Sequence, residues 1–135
     1  PALLRGQRPD GVIDACDQPS AKALLAAWAI DSGVPLVCVG AAGGKRLPHE
    51  VRVGDLADVT HDPLLASLRQ RLRRQHGAAR QGPIGLACVY SRESVQRPDG
   101  HCTTDGSLNC HGYGSTVTVT ATFGMVAAAR LVEHL

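Results

Sequence analysis

Between Gly11 and Gly44 two short apolar runs enclose one helical pattern, and that order leaves the chain few architectures. After the Pro9-Asp10-Gly11 turn, Val12 and Ile13 make Gly11–Ala15 read as a short buried strand. Pro19 suits a first helical position. Ala23, Leu24, Leu25, Trp28, Ala29 and Ile30 then recur at helical spacing until Ser32-Gly33 stops them. Pro35 starts the second run, Leu36-Val37-Cys38-Val39, which ends in the glycine-rich Gly40–Gly44. Apolar runs joined through a helix imply parallel strands covered on both faces. The expected class is α/β, a mostly parallel sheet with flanking helices.

The rest of the chain extends that layout. His49–Val53 alternates Val51 and Val53 with polar neighbours, as an extended segment does. Asp62-Pro63 opens a helix in which Leu64, Leu65, Leu68 and Leu72 form one stripe and Arg69, Arg71, Arg73, Arg74 and His76 most of the opposite side. Gly77 and Gly82-Pro83 end it, Ile84–Tyr90 reads as a further strand, and Ser91–Gly114 as a long polar loop. The last segment conflicts with itself. Thr116–Phe123 alternates like a strand yet runs without a turn into the helix-forming Met125–Leu131, and the pattern alone divides it.

Composition narrows the function classes. With 135 residues, 44% of them hydrophobic, and a formal net charge of +2, one domain with an ordinary core is expected. Trp28, Tyr90, Tyr113 and Phe123 are the only aromatic residues, so RNA contact would rest on basic side chains rather than on stacked bases. The five cysteines are odd in number and form no Cys-x-x-Cys pair, which excludes the usual zinc ribbon and makes a reducing cytoplasm the simplest setting. No leader pattern opens the chain. Threonines interrupt the apolar stretch Gly114–Leu135, and Arg130, Glu133 and His134 close it, so no bilayer span is expected.

In open parallel sheets ligands gather at the carboxyl ends of the strands. Asp14 and Asp17 stand at or just beyond such an end, where an aspartate can hold Mg²⁺ on a bound triphosphate, and Lys22, about one turn into the helix, is near enough to offset the negative charge there as a catalytic and nucleotide-binding candidate. The alternative is that Asp17 or Gln18 merely caps the helix. Gly40–Lys45 fails as a phosphate loop, because Arg46 stands where the hydroxyl residue should be and Leu47-Pro48 where a helix should begin. It reads as a flexible strand-end loop whose bare backbone can approach a substrate. The basic residues Arg69, Arg73, Arg74 and Arg80 suit phosphate contact or a plain solvated face. Cys102 and Cys110, flanked by His101 and His111, are either nucleophiles or persulfide carriers, or ordinary thiols.

These residues carry a family likeness. VIDACDQPSAKALLAAWAIDSGVPLVCVGAAGG resembles the second half of the ATP-binding domain of ubiquitin-activating-type enzymes, which include the sulfur-carrier adenylyltransferases. DLADVTHDPLLASLRQRLRR, LACVYSRE and GYGSTVTVTATFGMVAAA follow in order and resemble the tRNA threonylcarbamoyladenosine dehydratase branch. The likeness covers nearly the whole chain.

The resemblance implies the carboxyl-terminal half of a Rossmann-like ATP-binding domain. Residues 1–135 would form a single partial domain: 1–60 the second half of the nucleotide-binding sheet, 61–90 the basic helix and a strand, 91–114 a loop and 115–135 one long helix. It implies ATP-dependent activation of a carboxylate as an acyl adenylate, with loss of pyrophosphate and then ring closure with release of AMP. Asp17 matches the family aspartate of the Mg²⁺-ATP site, with Asp14 as the accompanying acid and Lys22 at a commonly basic position. Arg69, Arg73, Arg74 and Arg80 become candidates for tRNA contact. The implied partners are a tRNA substrate, a second copy in a homodimer, sulfur-relay proteins, and an amino-terminal half that carries the glycine-rich phosphate loop. Adenylation of a sulfur-carrier protein, or a non-catalytic docking role, are the alternatives.

Overall fold

Three parallel strands and one antiparallel strand make a single sheet in the computed structural model, which describes residues 6–95 and 114–135. The elements are β1 (Val12–Asp14), α1 (Pro19–Ser32), β2 (Leu36–Val39), β3 (Val51–Asp55), α2 (Pro63–Gln75), β4 (Ala87–Ser91) and α3 (Val117–Val132). Their order across the sheet is β1-β2-β4-β3, with β3 antiparallel to β4. The mostly parallel α/β layout read from the sequence is therefore the fold.

Strand alternation sends side chains into two separate cores. Leu36, Cys38, Cys88 and Tyr90 face the layer made by α1 and α2, where they meet Ala23, Ala26, Ala29, Leu65, Leu68 and Leu72. Val37 and Val89 face the other way, onto Val119, Phe123 and Ala127 of α3. Alanines dominate the inward side of α1, so its backbone can lie close to its neighbours. Gly33 ends α1 in the left-handed region at φ 67°, and its amide bonds to the carbonyls of Ala29 and Ile30.

α3 is helical through the threonine run that looked like a strand. Val119, Phe123 and Ala127 recur at a four-residue interval and are buried on the sheet, which decides the conformation. Burying Phe123 contributes about 1.5–3 kcal/mol, more than the helix propensity lost at any one threonine. The hydroxyls are accommodated locally: Thr120 Oγ1 donates to the Thr116 carbonyl (3.3 Å) and Thr122 Oγ1 to that of Thr118 (2.6 Å).

Two boundaries differ from the sequence expectation. β4 begins at Ala87 rather than Ile84, because the Asp55 carboxylate accepts the amides of Ile84, Gly85 and Leu86 and folds them into a turn, with Gly85 at φ 84°. The extended segment expected from His49 begins at Val51, since Pro48–Glu50 forms one 3₁₀ turn. Among the described residues, no helix is long and apolar enough to cross a membrane.

Candidate functional site

Because β1, β2 and β4 are parallel, their carboxyl ends and the loops that follow them share one edge of the sheet. At the end of β1 a buried ion pair shapes the chain. Lys22 Nζ lies 2.9 Å from Asp14 Oδ2, and neither side chain is solvent-exposed. The same ammonium donates to the carbonyls of Asp14 (3.1 Å) and Cys16 (3.0 Å), so all three of its protons have partners. Asp14 Oδ1 accepts the Cys16 amide at 2.9 Å, closing the turn from the other side. Helix α1 supplies the lysine and β1 the carboxylate, and the Ala15–Gln18 connection is held between them.

Asp17 sits on the outside of that locked turn and is exposed. It does not cap α1: Gln18 occupies the cap position, and no side-chain cap bond is made there. Of the two roles read for this residue, helix capping is therefore not the one this geometry displays. Asp14, Lys22 and Asp17, adjacent in sequence, divide into two buried groups that set the backbone and one carboxylate that faces solvent.

The buried polar row continues across the sheet. Asp14, Cys38 and Cys88 are register partners on β1, β2 and β4, and Cys38 Sγ donates to Asp14 Oδ2 at 3.6 Å. The neighbouring Cys38 thiol and burial push the Cys88 thiol far above the usual range, so it stays protonated and inert. Cys16 is exposed, and partial desolvation and the nearby Asp14 charge raise its pKa, which disfavours the thiolate. Cys102 and Cys110 lie outside the described residues.

The loop after β2 is fastened rather than flexible. Asp62 grips it from α2: Oδ1 caps the helix through the Leu65 amide (2.9 Å), while Oδ2 accepts the Ala41 amide (2.8 Å). Glu93 Oε2 accepts the amides of Arg46 (2.7 Å) and Leu47 (2.9 Å), and the Gly44 amide reaches the Gly114 carbonyl (3.1 Å). Gly40 has to be glycine here, since a Cβ would overlap the Asp62 carboxylate. Bare backbone is still presented, but by a rigid rim. Lys45, buried inside the loop, bonds to the carbonyls of His61 (3.0 Å) and Ser91 (3.1 Å). Sequence reading used Lys45 only to test the phosphate loop, and no periodicity marks it as an interior residue.

The arginines of α2 are not equivalent. Arg69 is half-buried, and its Nη1 donates to the carbonyls of Leu56 (3.0 Å) and Val59 (2.9 Å). Arg73 Nε donates to the Ala79 carbonyl at 3.0 Å. Arg74 and Arg80 are exposed. Among the described residues, no group of three or more His, Cys, Asp or Glu could cage a metal ion. One exposed carboxylate at a strand end instead fits Mg²⁺ carried in on phosphate oxygens, which uses one or two protein carboxylates.

An open cleft of about 1110 Å³ lies at the opposite end of the sheet, where β2 and β4 begin at Leu36 and Ala87. It is separate from the strand-end residues.

No family model matches the chain. It is 38% identical over 136 residues to the tRNA threonylcarbamoyladenosine dehydratase of Escherichia coli K12, covering 92% of this chain and 51% of that protein. The Haemophilus influenzae enzyme of the same name is 34% identical, over 93% of this chain and 50% of its own length. The solved structure of the E. coli enzyme in complex with ATP superposes with a TM-score of 0.83 at 36% identity, over 98% of this chain and 50% of that one. The same enzyme in complex with AMP gives a TM-score of 0.81 at 35% identity, again over 98% of this chain and 50% of that one. The chain thus spans about half the length of the relatives it matches.

Proposed function

We propose that this chain, a homologue of the tRNA threonylcarbamoyladenosine dehydratases, supplies part of the ATP and substrate site of an enzyme that closes threonylcarbamoyladenosine in tRNA into its cyclic form. The observation that carries the reading is Asp17, an exposed carboxylate on a turn locked by the buried Asp14–Lys22 pair at the carboxyl end of a parallel strand. In this reading Asp17 faces the Mg²⁺ of Mg²⁺-ATP. Asp14 and Lys22 act through the turn, holding its carbonyls and the Cys16 amide so that Asp17 keeps one orientation. The metal would offset negative charge on the triphosphate when the substrate carboxylate attacks the α-phosphate.

The Gly40–Gly44 rim and the basic side of α2 form the substrate surface. Arg74 and Arg80 are exposed and bond to no other described residue, which leaves their guanidinium groups to meet phosphates. Arg69 and Arg73 would use the N–H groups left over from their main-chain bonds. An amino-terminal half would carry the phosphate loop, with a second copy in a homodimer and sulfur-relay proteins as further partners. The test joins this chain to its amino-terminal half and follows dehydration of threonylcarbamoyladenosine in tRNA. Loss of activity in Asp17→Asn with a weaker dependence on Mg²⁺ is expected, and unchanged turnover would overturn the assignment. Exchange of pyrophosphate into ATP driven by a sulfur-carrier protein, but not by tRNA, would point to the adenylyltransferase alternative.

A further inference from the structure

Lys45 has no part in the reading above, yet its surroundings are costly to build. Its side chain is 2% exposed, and burial lowers its pKa, an effect the charges of Asp62 and Glu93 oppose. An apolar side chain would fill the same space without the cost of desolvating an ammonium. An ammonium can instead bond in several directions at once, and here it does so between segments far apart in sequence. Lys45 leaves the loop after β2, bonds to the His61 carbonyl at the entry to α2 and to the Ser91 carbonyl at the last residue of β4. His61 lies at φ 60°, in the left-handed region, where the chain turns into the helix.

Three acidic or main-chain ties act on the same loop from outside: Asp62 on Ala41, Glu93 on Arg46 and Leu47, and Gly114 on Gly44. Lys45 is the tie from within. Between the anchored amides of Ala41 and Gly44, those of Ala42 and Gly43 bond to no described residue. They are the loop's remaining donors at the strand-end edge.

We propose that Lys45 is a positioning residue: it fastens the Gly40–Leu47 loop to β4 and the α2 entry, and so fixes the main-chain rim on which the acceptor carboxylate substrate is seated. The inference rests on the proposed function for its substrate, though not for its effect on the loop. A fixed rim presents amide donors without reorganisation when an anionic group arrives, which strengthens binding at that step rather than at the nucleotide.

The experiment compares wild type with Lys45→Met in the full-length protein, confirmed folded by circular dichroism. Two measurements are made. Amide hydrogen exchange should speed up at least tenfold in residues 41–47 of Lys45→Met, while α1 and β1 keep their protection. Steady-state kinetics should show the KM for the modified tRNA rising at least fivefold, with the KM for ATP within twofold. A merely destabilised variant would lose active enzyme and leave both KM values unchanged, and that result overturns the proposal. So does unchanged exchange in the loop, whatever the activity. If wild type itself turns over no tRNA and binds no ATP, the proposed function falls, and the exchange measurement alone decides the role of Lys45 in the loop.

Discussion

Lys22 reaches back from the first turns of α1 to place its ammonium 2.9 Å from Asp14, the last residue of β1, with both side chains sealed from solvent. The pair joins the strand to the helix that follows it and encloses the turn that presents Asp17. Removing one member leaves the other charged, buried and short of partners. Lys22→Met is therefore expected to destabilise the fold by about 3–5 kcal/mol. Urea unfolding measures this, and the double variant Asp14→Asn/Lys22→Met should lose clearly less than the sum of the two single losses. Additive losses would show that the groups do not act as a pair.

Asp17 is expected to behave in the opposite way. As a helix cap its removal would cost about 1 kcal/mol. Since no side-chain cap is made at the start of α1, Asp17→Ala should shift stability by no more than about 0.5 kcal/mol. The same denaturant titration reads this out. A loss above 1 kcal/mol would return Asp17 to a structural role.

Gly40 tests the fastening of the rim. Its missing side chain leaves room for Asp62, whose two oxygens hold the Ala41 amide and the first turn of α2. Gly40→Ala should displace that carboxylate and cost about 1–3 kcal/mol by overpacking and the loss of a cap. Combined with Asp62→Ala the extra loss should be small, because the displaced group is then already absent. Thermal unfolding of the three variants checks the coupling.

Much of the fold was legible because its signals are local. Pro19 and Gly33 bracket α1, and Asp62-Pro63 opens α2 with the capping bond that the residue types imply. Helix α3 was not legible from pattern, since the Thr116–Phe123 alternation is overruled by contacts of Val119, Phe123 and Ala127 with strands distant in sequence. The family resemblance did assign that segment to one helix. The site divides along the same line. Asp14 and Asp17 were visible at a strand end, but nothing local says that Lys22 faces inward, or that Lys45 finds carbonyls 16 and 46 residues away. Long-range bonds to main-chain atoms leave no mark on residue type, because any residue offers a carbonyl.

Asp55 gives the fold a defined acid sensitivity. Burial alone would raise its pKa, but hydrogen bonds from the amides of Ala57, Ile84, Gly85 and Leu86 outweigh that and hold it below the usual aspartate value. A carboxyl whose pKa is depressed by folding stabilises the native state above its unfolded pKa, about 3.9. That contribution is lost as pH falls through the lower folded value. Asp55→Asn keeps the size of the side chain but not its charge, and should lose about 1.5–3 kcal/mol near pH 7, the range for hydrogen bonds to a charged group. Below pH 3 the difference should shrink toward that between a protonated aspartate and an asparagine. Urea midpoints for both proteins from pH 2 to pH 7 provide the measurement. A gap that stays constant across the range would mean that the amides around Asp55 recognise its shape and not its charge.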